Sequence, residues 1–464
     1  MFDYEDLNLK IGLEIHQQLS NRKLFCNCST KFEEKELDLE FLRKLRAVAG
    51  EQGYIDIAAQ FEESKNREFI YHGHKDEYCL VDCDEEPPHE INQDALITAL
   101  SVAKLFKINI SDNIQVMRKI ITDGSACSSF QRTMLIGLGT QDSFIETTQG
   151  NVRITSLCLE EDACKIEKIN ENKVNYSLSR QGIPLLEIRT EPDIKTPEQA
   201  KEAAEKIGMI LRSFSSILRG IGTIRQDVNL SIQNGSRVEI KGFQELRAMP
   251  KIIDYEIQRQ VSIIQQGKKV EKEVRKANEN GTTSFLRPLP GAARMYPDTD
   301  IKTILVTKEL LNKIKIPELI TDKIDYLQKK YDLSKELSSE VIKKKINLSD
   351  YADKYKNIKV GLLSGMLLVY HEEPNLHKAL DLLNSGKITK DVIEKVLNDL
   401  KQGKKVDLDK YKTVSNKELE KEIKKILREK KDLTINAIMG ILMNKYKGKV
   451  DGKTLIEIIK KEMK

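Results

Sequence analysis

Residues 11–19 read IGLEIHQQL, a β-favouring apolar run that carries a carboxylate at Glu14, an imidazole at His16 and an amide at Gln18. Successive strand residues point to opposite faces, so these three share one face while Leu13 and Ile15 take the other. The theme recurs downstream. CLEEDACK supplies Glu160, Glu161 and Asp162, IPLLEI supplies Glu187, and RQDVN supplies Asp227, each in or beside an apolar run. An acid flanked by core residues is costly to bury unless it is paired or coordinates a metal. Carboxylates with one imidazole suit a hard divalent ion such as Mg²⁺ or Mn²⁺. Basic residues run alongside: Arg118, Lys119, Lys165, Arg180, Arg189, Arg225, Arg237 and Lys241. Of these, Arg180, Arg225 and Lys241 are the candidate phosphate ligands, cations that neutralise phosphate while a metal bridges it. The competing expectation is a set of ordinary ion pairs on an open sheet face.

Missing motifs narrow the chemistry. There is no G-x-x-x-x-G-K-[ST], no G-x-G-x-x-G after a strand, no H-E-x-x-H and no G-x-S-x-G, so a nucleotide is not expected on a P-loop and no metalloprotease or serine-hydrolase site is indicated. The serine-rich DGSACSSFQR at 123–132 has no adjacent base to activate a nucleophile and reads as a polar turn or phosphate-contact loop. Cys26 and Cys28 in FCNCS with Cys79 and Cys83 in YCLVDC form a candidate zinc site, although neither pair has the usual C-x₂-C spacing, and free buried thiols are the alternative. Cys127, Cys158 and Cys164 read as core thiols, and His72, His74 and His89 as surface histidines. Seven cysteines, an odd number, suit free thiols or metal ligands better than a disulfide framework.

These residues need a scaffold. NVRITSLCLEEDA, KVNYSLSRQGIPLLEIRT and IRQDVNLSIQNGSRVEIKGF read as strands, the last with a hairpin turn at Asn234–Gly235. TPEQAKEAAEKIGMILRSF (196–214) reads as a helix with Thr196 as N-cap, Pro197 at its first position and an apolar face of Ala200, Ala203, Ile207, Ile210 and Leu211. After about Leu305 the strand signals fade and Lys/Glu-rich helical periodicity takes over. A linker is expected near 401–412, followed by an amphipathic helix on Leu419, Ile423, Ile426 and Leu427. The expected domains are an α+β body over 1–305, an all-α middle over 306–405 and a helical tail over 406–464.

At 464 residues, 39% hydrophobic and 32% charged, the chain is long enough for two to four domains and for a sizeable core. No window approaches 18 uninterrupted apolar residues, and the N-terminal MFDYEDLNLK is acidic, so neither a membrane span nor a secretory signal is expected and the cytoplasm is the expected compartment. The net charge of +5 is uneven: from Val406 to Lys464 there are 16 Lys and Arg against 10 Asp and Glu, and the rest is close to neutral. A basic tail suits a polyanionic partner, with Lys421, Lys424, Lys425 and Arg428 as its candidate contacts; a solvated helix surface is the alternative.

The run of motifs IGLEIHQQLSNRKLFCNCS, DEEPPHE, MRKIITDGS, CLEEDA, YSLSRQGIPLLEI, TPEQAKEAAEKIGMILRS, RGIGTIRQDVNLSI, RVEIKGFQEL and RPLPGAARMYPDTDI, in order over residues 9–301, resembles the GatB/GatE family of glutamyl-tRNA(Gln) amidotransferase subunits. RPLPGAARMYP and DEEPPHE are closer to its archaeal GatE branch than to the GatB branch of bacteria and organelles. YKGKVDGKTLIEIIKKE (446–462) resembles the end of that family's tail. The resemblance implies an α+β cradle domain followed by all-α helical and YqeY-like tail domains. It implies a ligase that uses ATP and Mg²⁺ to phosphorylate the side-chain carboxylate of glutamate misacylated onto tRNA(Gln), then amidates it with ammonia. The implied partners are that tRNA and an asparaginase-like glutaminase subunit, GatD. The family's metal site maps to Glu14, His16, Glu160 or Glu161, and Glu187. One departure is clear: the aspartyl-tRNA-synthetase-like insert of the GatE branch is missing, and only residues 265–285 fill its place. The rival classes are a non-catalytic tRNA-binding scaffold and an ATP-dependent ligase acting on a small carboxylic acid.

Overall fold

The run that carries Glu14 and His16 forms the strand Lys10–Gln18, central in a 12-stranded mixed sheet. The computed structural model describes residues 3–31, 36–50, 52–243, 245–291, 295–402, 411, 414, 416–429, 433–446, 449–450 and 452–463. The chain divides into two compact units, Met1–Leu319 and Ile320–Lys464.

In the first unit, Lys10–Gln18 pairs antiparallel with Pro184–Thr190 on one side and Ile224–Ser231 on the other. Beyond Pro184–Thr190 the sheet continues through Gly150–Glu161, Phe130–Leu138, Val116–Ile120 and Met295–Pro297. Beyond Ile224–Ser231 it continues through Val238–Phe243, Glu273–Ala277 and Thr283–Pro288. Val238–Phe243 and Glu273–Ala277 are parallel, which requires a crossover, and the helix Met249–Gln265 supplies it.

The alternation read from the sequence decides what lies on each side. Ile11, Leu13 and Ile15 are at most 1% exposed. They join Leu186, Ile188, Val228, Leu230, Leu157 and Leu159 in one core under the helices Gln93–Leu105, Pro197–Leu211 and Met249–Gln265. Burial of each such side chain is worth about 1.5–3 kcal/mol relative to exposure. The helix at Pro197–Leu211 starts as its sequence dictates: Thr196 Oγ1 accepts a hydrogen bond from Gln199 N at 3.1 Å, and Ala200, Ala203, Ile207 and Leu211 are fully buried. Gly12 meets the sheet closely, since a Cβ there would lie 3.2 Å from Thr190 O.

Two strand expectations change. The stretch 173–190 is not one strand: it breaks at Leu178–Ile183, where Gly182 adopts φ +79°. Its halves enter different sheets, Lys173–Ser177 in a four-stranded sheet with Glu68–His74, and Pro184–Thr190 in the large one. The hairpin at Asn234–Gly235 forms, but residues 232–237 all lie outside the strands and only Asn234 takes positive φ, so it is a longer loop than a two-residue turn.

The second unit is helical among its described residues. Ile320–Tyr331, Val360–Tyr370, Leu376–Asn384 and neighbouring helices share a core that includes Val341, Leu363, Leu380 and Val396. Asn416–Glu429, Ile435–Lys445 and Gly452–Glu462 share another, around Leu419, Ile423, Ile438, Leu442 and Leu455. Lys421, Lys424, Lys425 and Arg428 are on the exposed side of Asn416–Glu429, where Lys424 pairs with Glu462 at 3.2 Å. Most of the expected linker at 401–412 lies outside the described residues. No helix among the described residues is long and apolar enough to cross a membrane.

Ile15→Ala removes a fully buried side chain from the central strand. We expect a loss of about 2–5 kcal/mol, read as a lower denaturant midpoint with unchanged slope. Thr196→Ala should cost only about 1 kcal/mol in the same measurement.

Candidate active site

The face of the large sheet opposite the helices is polar, and the register makes it so. Glu14 stands level with Arg189 on one neighbouring strand and Asp227 on the other; His16 stands level with Glu187 and Arg225. Glu160 enters from the next strand, two residues from Cys158, which pairs with Glu187. His16 Nε2 therefore lies 3.3 Å from Glu187 Oε2, 3.4 Å from Glu14 Oε1 and 3.8 Å from Glu160 Oε1. His16, Glu160 and Glu187 bring donor atoms within 4.8 Å of one another, and so do Glu14, His16 and Asp227.

Cations hold the acids in place. Lys119 Nζ is 2.8 Å from Glu160 Oε2 and 3.9 Å from Glu187 Oε2. Arg189 reaches Glu14 at 3.2 Å and Glu187 at 2.7 Å. Lys241 sits between Asp227 at 2.7 Å and Glu239 at 2.5 Å. Burial alone would favour the neutral form of Glu14, but His16, Lys241, Arg189 and Lys119 outweigh it and hold the carboxyl down at about 2. Burial works against a charged His16; its contact with Glu187 and the charges of Glu14, Glu187 and Asp227 override this and lift it to about 9. Glu160 is likewise held low against its burial, chiefly by Lys119 and then His16.

The donor set fits a hard divalent ion. Oxygens around Mg²⁺ or Ca²⁺ at about 2.1–2.4 Å sit roughly 3.0–3.4 Å apart in an octahedron, close to the 3.3–3.8 Å found around His16 Nε2. Glu187 Oε1 is buried and receives no well-aligned hydrogen bond, although Arg189 lies beside it, which leaves a lone pair for a further ligand. All these groups line one open cavity of ≈ 930 Å³, with Asp56, Asp123, Arg180, Arg225, Arg237, Arg287 and Gly291 on its walls.

The structure sorts the other site residues. Of the two glutamates of LEED, Glu160 joins His16, whereas Glu161 points to the far side of its strand, accepts from Arg132 N at 3.1 Å and is kept high by burial. Arg225 binds Asp162 with both nitrogens, at 2.8 and 3.2 Å, and Arg180 donates to Ala163 O and Cys164 O at 2.8 and 2.6 Å. Both line the cavity, but they serve to anchor the turn that follows Glu161. Asp227, Lys119 and Arg189 belong to the cluster in addition to its expected members. The signal for Asp227 is present in RQDVN; only the pairing of distant strands tells that it meets Glu14.

A second cluster lies apart from this one. Cys26, Cys28, Cys79 and Asp82 bring one ligand atom each within 4.8 Å of one another. Asp82 Oδ2 accepts from Cys79 N at 3.1 Å and pairs with the fully buried Lys23 at 3.1 Å. The neighbouring Cys26 and Cys28 thiols pull Cys79 down. Three sulfurs and a carboxylate make a four-donor set of the element types zinc takes. The expected fourth cysteine is elsewhere: the turn closed by Cys83 N on Cys79 O carries Cys83 into the apolar cluster of Phe69, Tyr71, Cys127 and Tyr176. The carboxylate between the two cysteines of YCLVDC takes its place. His72, expected at the surface, is half-buried, with Glu167 Oε2 at 2.6 Å from its Nδ1.

Titration with Mg²⁺ or Mn²⁺, followed calorimetrically, should show cation binding that weakens at least about tenfold in His16→Ala and Glu187→Gln, the range seen on losing a ligand or its close support. Glu161→Gln, on the far side of the strand, should leave the affinity within about twofold.

Residues 9–312 match the model of the GatB/GatE catalytic domain, a stretch that contains every residue of the carboxylate cluster. Over its whole length the chain is 35% identical to GatE, the glutamyl-tRNA(Gln) amidotransferase component of that name, from Archaeoglobus fulgidus, with 99% of that protein covered. It is 34% identical to the GatE proteins of Methanocaldococcus jannaschii and Methanosarcina barkeri, with 99% and 98% of them covered. These alignments extend over 615–633 positions against 464 residues here, so the relatives carry long segments without counterpart in this chain, as the missing insert requires. A match to the catalytic-domain model across the whole sheet, and GatE proteins aligned from end to end, place the chain in the GatB/GatE family.

Proposed function

We propose that the chain is the synthetase component of a tRNA-dependent amidotransferase, converting glutamyl-tRNA(Gln) to glutaminyl-tRNA(Gln) with ATP and ammonia. The observation that carries this reading is the convergence of Glu14, His16, Glu160 and Glu187, with Lys119 and Arg189, on the floor of the 930 Å³ cavity. A carboxylate cannot be amidated directly, because oxide is too poor a leaving group. In the first step an oxygen of the glutamyl side chain forms a bond to the γ-phosphorus of ATP and ADP leaves. In the second, ammonia adds to the carbonyl carbon, the bond to the phosphate oxygen breaks, phosphate leaves with the electron pair, and the nitrogen gives up a proton.

Neither step needs a protein nucleophile. Among the described residues His16 is the one histidine of the cavity wall, and it faces carboxylates; Ser125 Oγ donates to Asp123 Oδ1 at 2.6 Å and not to an imidazole or amine that would activate it. What transfer of a phosphoryl group requires is position and charge. Lys119 and Arg189 are fixed by the acids and present positive charge to a phosphoryl group entering above them. Bound at Glu14, His16, Glu160 and Glu187, Mg²⁺ would neutralise those acids toward phosphate and polarise the transferring group. Gln18 donates to Asp162 at 2.6 Å and thereby ties the first strand to the Asp162–Arg225 anchor.

In this reading the glutaminase is a separate partner, the asparaginase-like GatD, and the assembly works in the cytoplasm. The α+β cradle spans 1–305, a helical domain 306–405 and a tail 406–464. Cys26, Cys28, Cys79 and Asp82 hold a structural zinc ion. The exposed Lys421, Lys424, Lys425 and Arg428 contact the tRNA backbone and add affinity.

Three outcomes follow. With ATP and ammonium chloride the purified chain should convert glutamyl-tRNA(Gln), scored as glutamine released from the deacylated product; with glutamine alone it should not, and glutaminase activity of the pure chain would sink the division of labour. Zinc content by mass spectrometry should be lost in Cys26→Ser and Asp82→Ala and kept in Cys83→Ser. Replacing the four tail cations by serine should raise KM for the aminoacyl-tRNA with little change in kcat, the mark of lost uniform binding, and should flatten the salt dependence of binding by roughly 0.7–0.9 for each phosphate no longer neutralised.

A further inference from the structure

Most cations on the cavity wall are committed. Arg225 is held by Asp162, Lys119 by Glu160, Arg189 by Glu14 and Glu187, Lys241 by Asp227 and Glu239, and Arg287 by Asp123 at 3.3 Å. Two differ. Lys10 and Arg237 line the same cavity, both exposed, and among the described residues neither side chain has an ion-pair or hydrogen-bond partner.

The register places them together. Lys10 pairs with Ser231, and Arg237 stands one residue before Val238, which pairs with Leu230. Lys10 and Ser231, on paired strands, and Arg237, just ahead of the third, thus form a row at one end of the cavity. Glu14 is four residues along from Lys10 on the same face, about 13 Å at 3.3 Å per residue. The row between is low: Gly12 has no side chain, and its partner Asn229 offers a neutral amide. Glu239, in that row, is already engaged by Lys241. A groove with a small polar floor therefore leads from the carboxylate cluster to an uncommitted pair of cations.

The spacing selects the ligand. In ATP the α-phosphorus is only four bonds from the γ-phosphorus, so with the γ-phosphoryl group at the acids every phosphate lies within about 6 Å of them. In glutamyl-tRNA, ten bonds separate the side-chain carboxyl carbon from the phosphorus on the 5′ side of the terminal nucleoside, a reach of roughly 12 Å at 1.2–1.3 Å per bond. We propose that Lys10 and Arg237 form a subsite for the last phosphodiester of the aminoacyl-tRNA acceptor end, set one aminoacyl-nucleoside length from the carboxylate cluster. This rests on the reaction proposed above. The pair acts as a ruler: it engages a glutamyl group only when a polynucleotide end is attached to it, which excludes free glutamate.

The test is the full chain carrying Lys10→Ala and Arg237→Ala together, assayed with ATP and ammonium chloride. KM for glutamyl-tRNA should rise about tenfold or more while KM for ATP stays within twofold. The slope of log Kd against log salt for the tRNA should fall by about 0.7, one single-stranded phosphate. Lys10→Arg with Arg237→Lys, which restores both charges, should restore affinity. An unchanged KM for the tRNA in an active double variant, or a rise confined to KM for ATP, overturns the subsite. Filter binding of the tRNA reads the subsite without turnover, so a wild-type chain that binds tRNA through these residues and fails to amidate it overturns the proposed reaction and leaves the subsite standing.

Discussion

Like charges brought together in a desolvated place set the terms for this fold. Two unit charges 4 Å apart interact by about 4 kcal/mol at an effective dielectric constant near 20, and Glu14, Glu160, Glu187 and Asp227 crowd around one imidazole. The cluster persists because each carboxylate meets a cation, Lys119, Arg189 and Lys241 coming from three different strands, and because the acids favour the charged form of His16. Buried ion pairs of this kind add little net stability, since desolvation consumes most of the attraction. The stability must then come from the opposite face, which explains why the strand residues between the acids are so uniformly apolar and so completely covered by helices.

The same logic separates two classes of basic residue. Arg225 and Arg180 are tied to Asp162 and to backbone carbonyls, and they fix the chain where it leaves the strand that delivers Glu160. Lys119 and Arg189 touch the acids themselves. Composition treats all of these as equivalent positive charge; burial and partner make one set part of the frame and the other part of the floor.

Much of this was legible in the residues. The period-2 alternation around Glu14, His16 and Gln18 names the polar face, and the Thr196–Pro197 start with its alanine-rich face names the helix that covers the other side. What alternation cannot say is which distant strand lies next door. Asp227 is visible as an acid in an apolar run, yet only the pairing of Lys10–Gln18 with Ile224–Ser231 brings it to Glu14. Glu160 and Glu161 are indistinguishable until the pairing with Pro184–Thr190 fixes which of them shares a face with Glu187. The stretch 173–190 reads as strand throughout because strand-forming residues recur in both of its halves; the glycine in positive φ that divides it between two sheets is not visible as a change of pattern. Asp82 escapes for another reason: a spacing rule built on cysteines overlooks a carboxylate standing between them.

The central strand is also made before both of its neighbours. Lys10–Gln18 leaves the ribosome before either of its neighbours exists, and its second partner is complete only at Ser231. At about 5–20 residues per second of synthesis, roughly 9–34 s pass before its first partner is complete at Thr190 and roughly 11–43 s before the second, so an apolar strand waits first with both edges open and then with one. An open edge of that kind invites pairing with other nascent chains. The charged and polar side chains at Glu14, His16 and Gln18 oppose such pairing, because stacking identical strands would set like carboxylates against each other. The alternation that builds the cluster in the finished protein thus also keeps the strand soluble until its partners arrive.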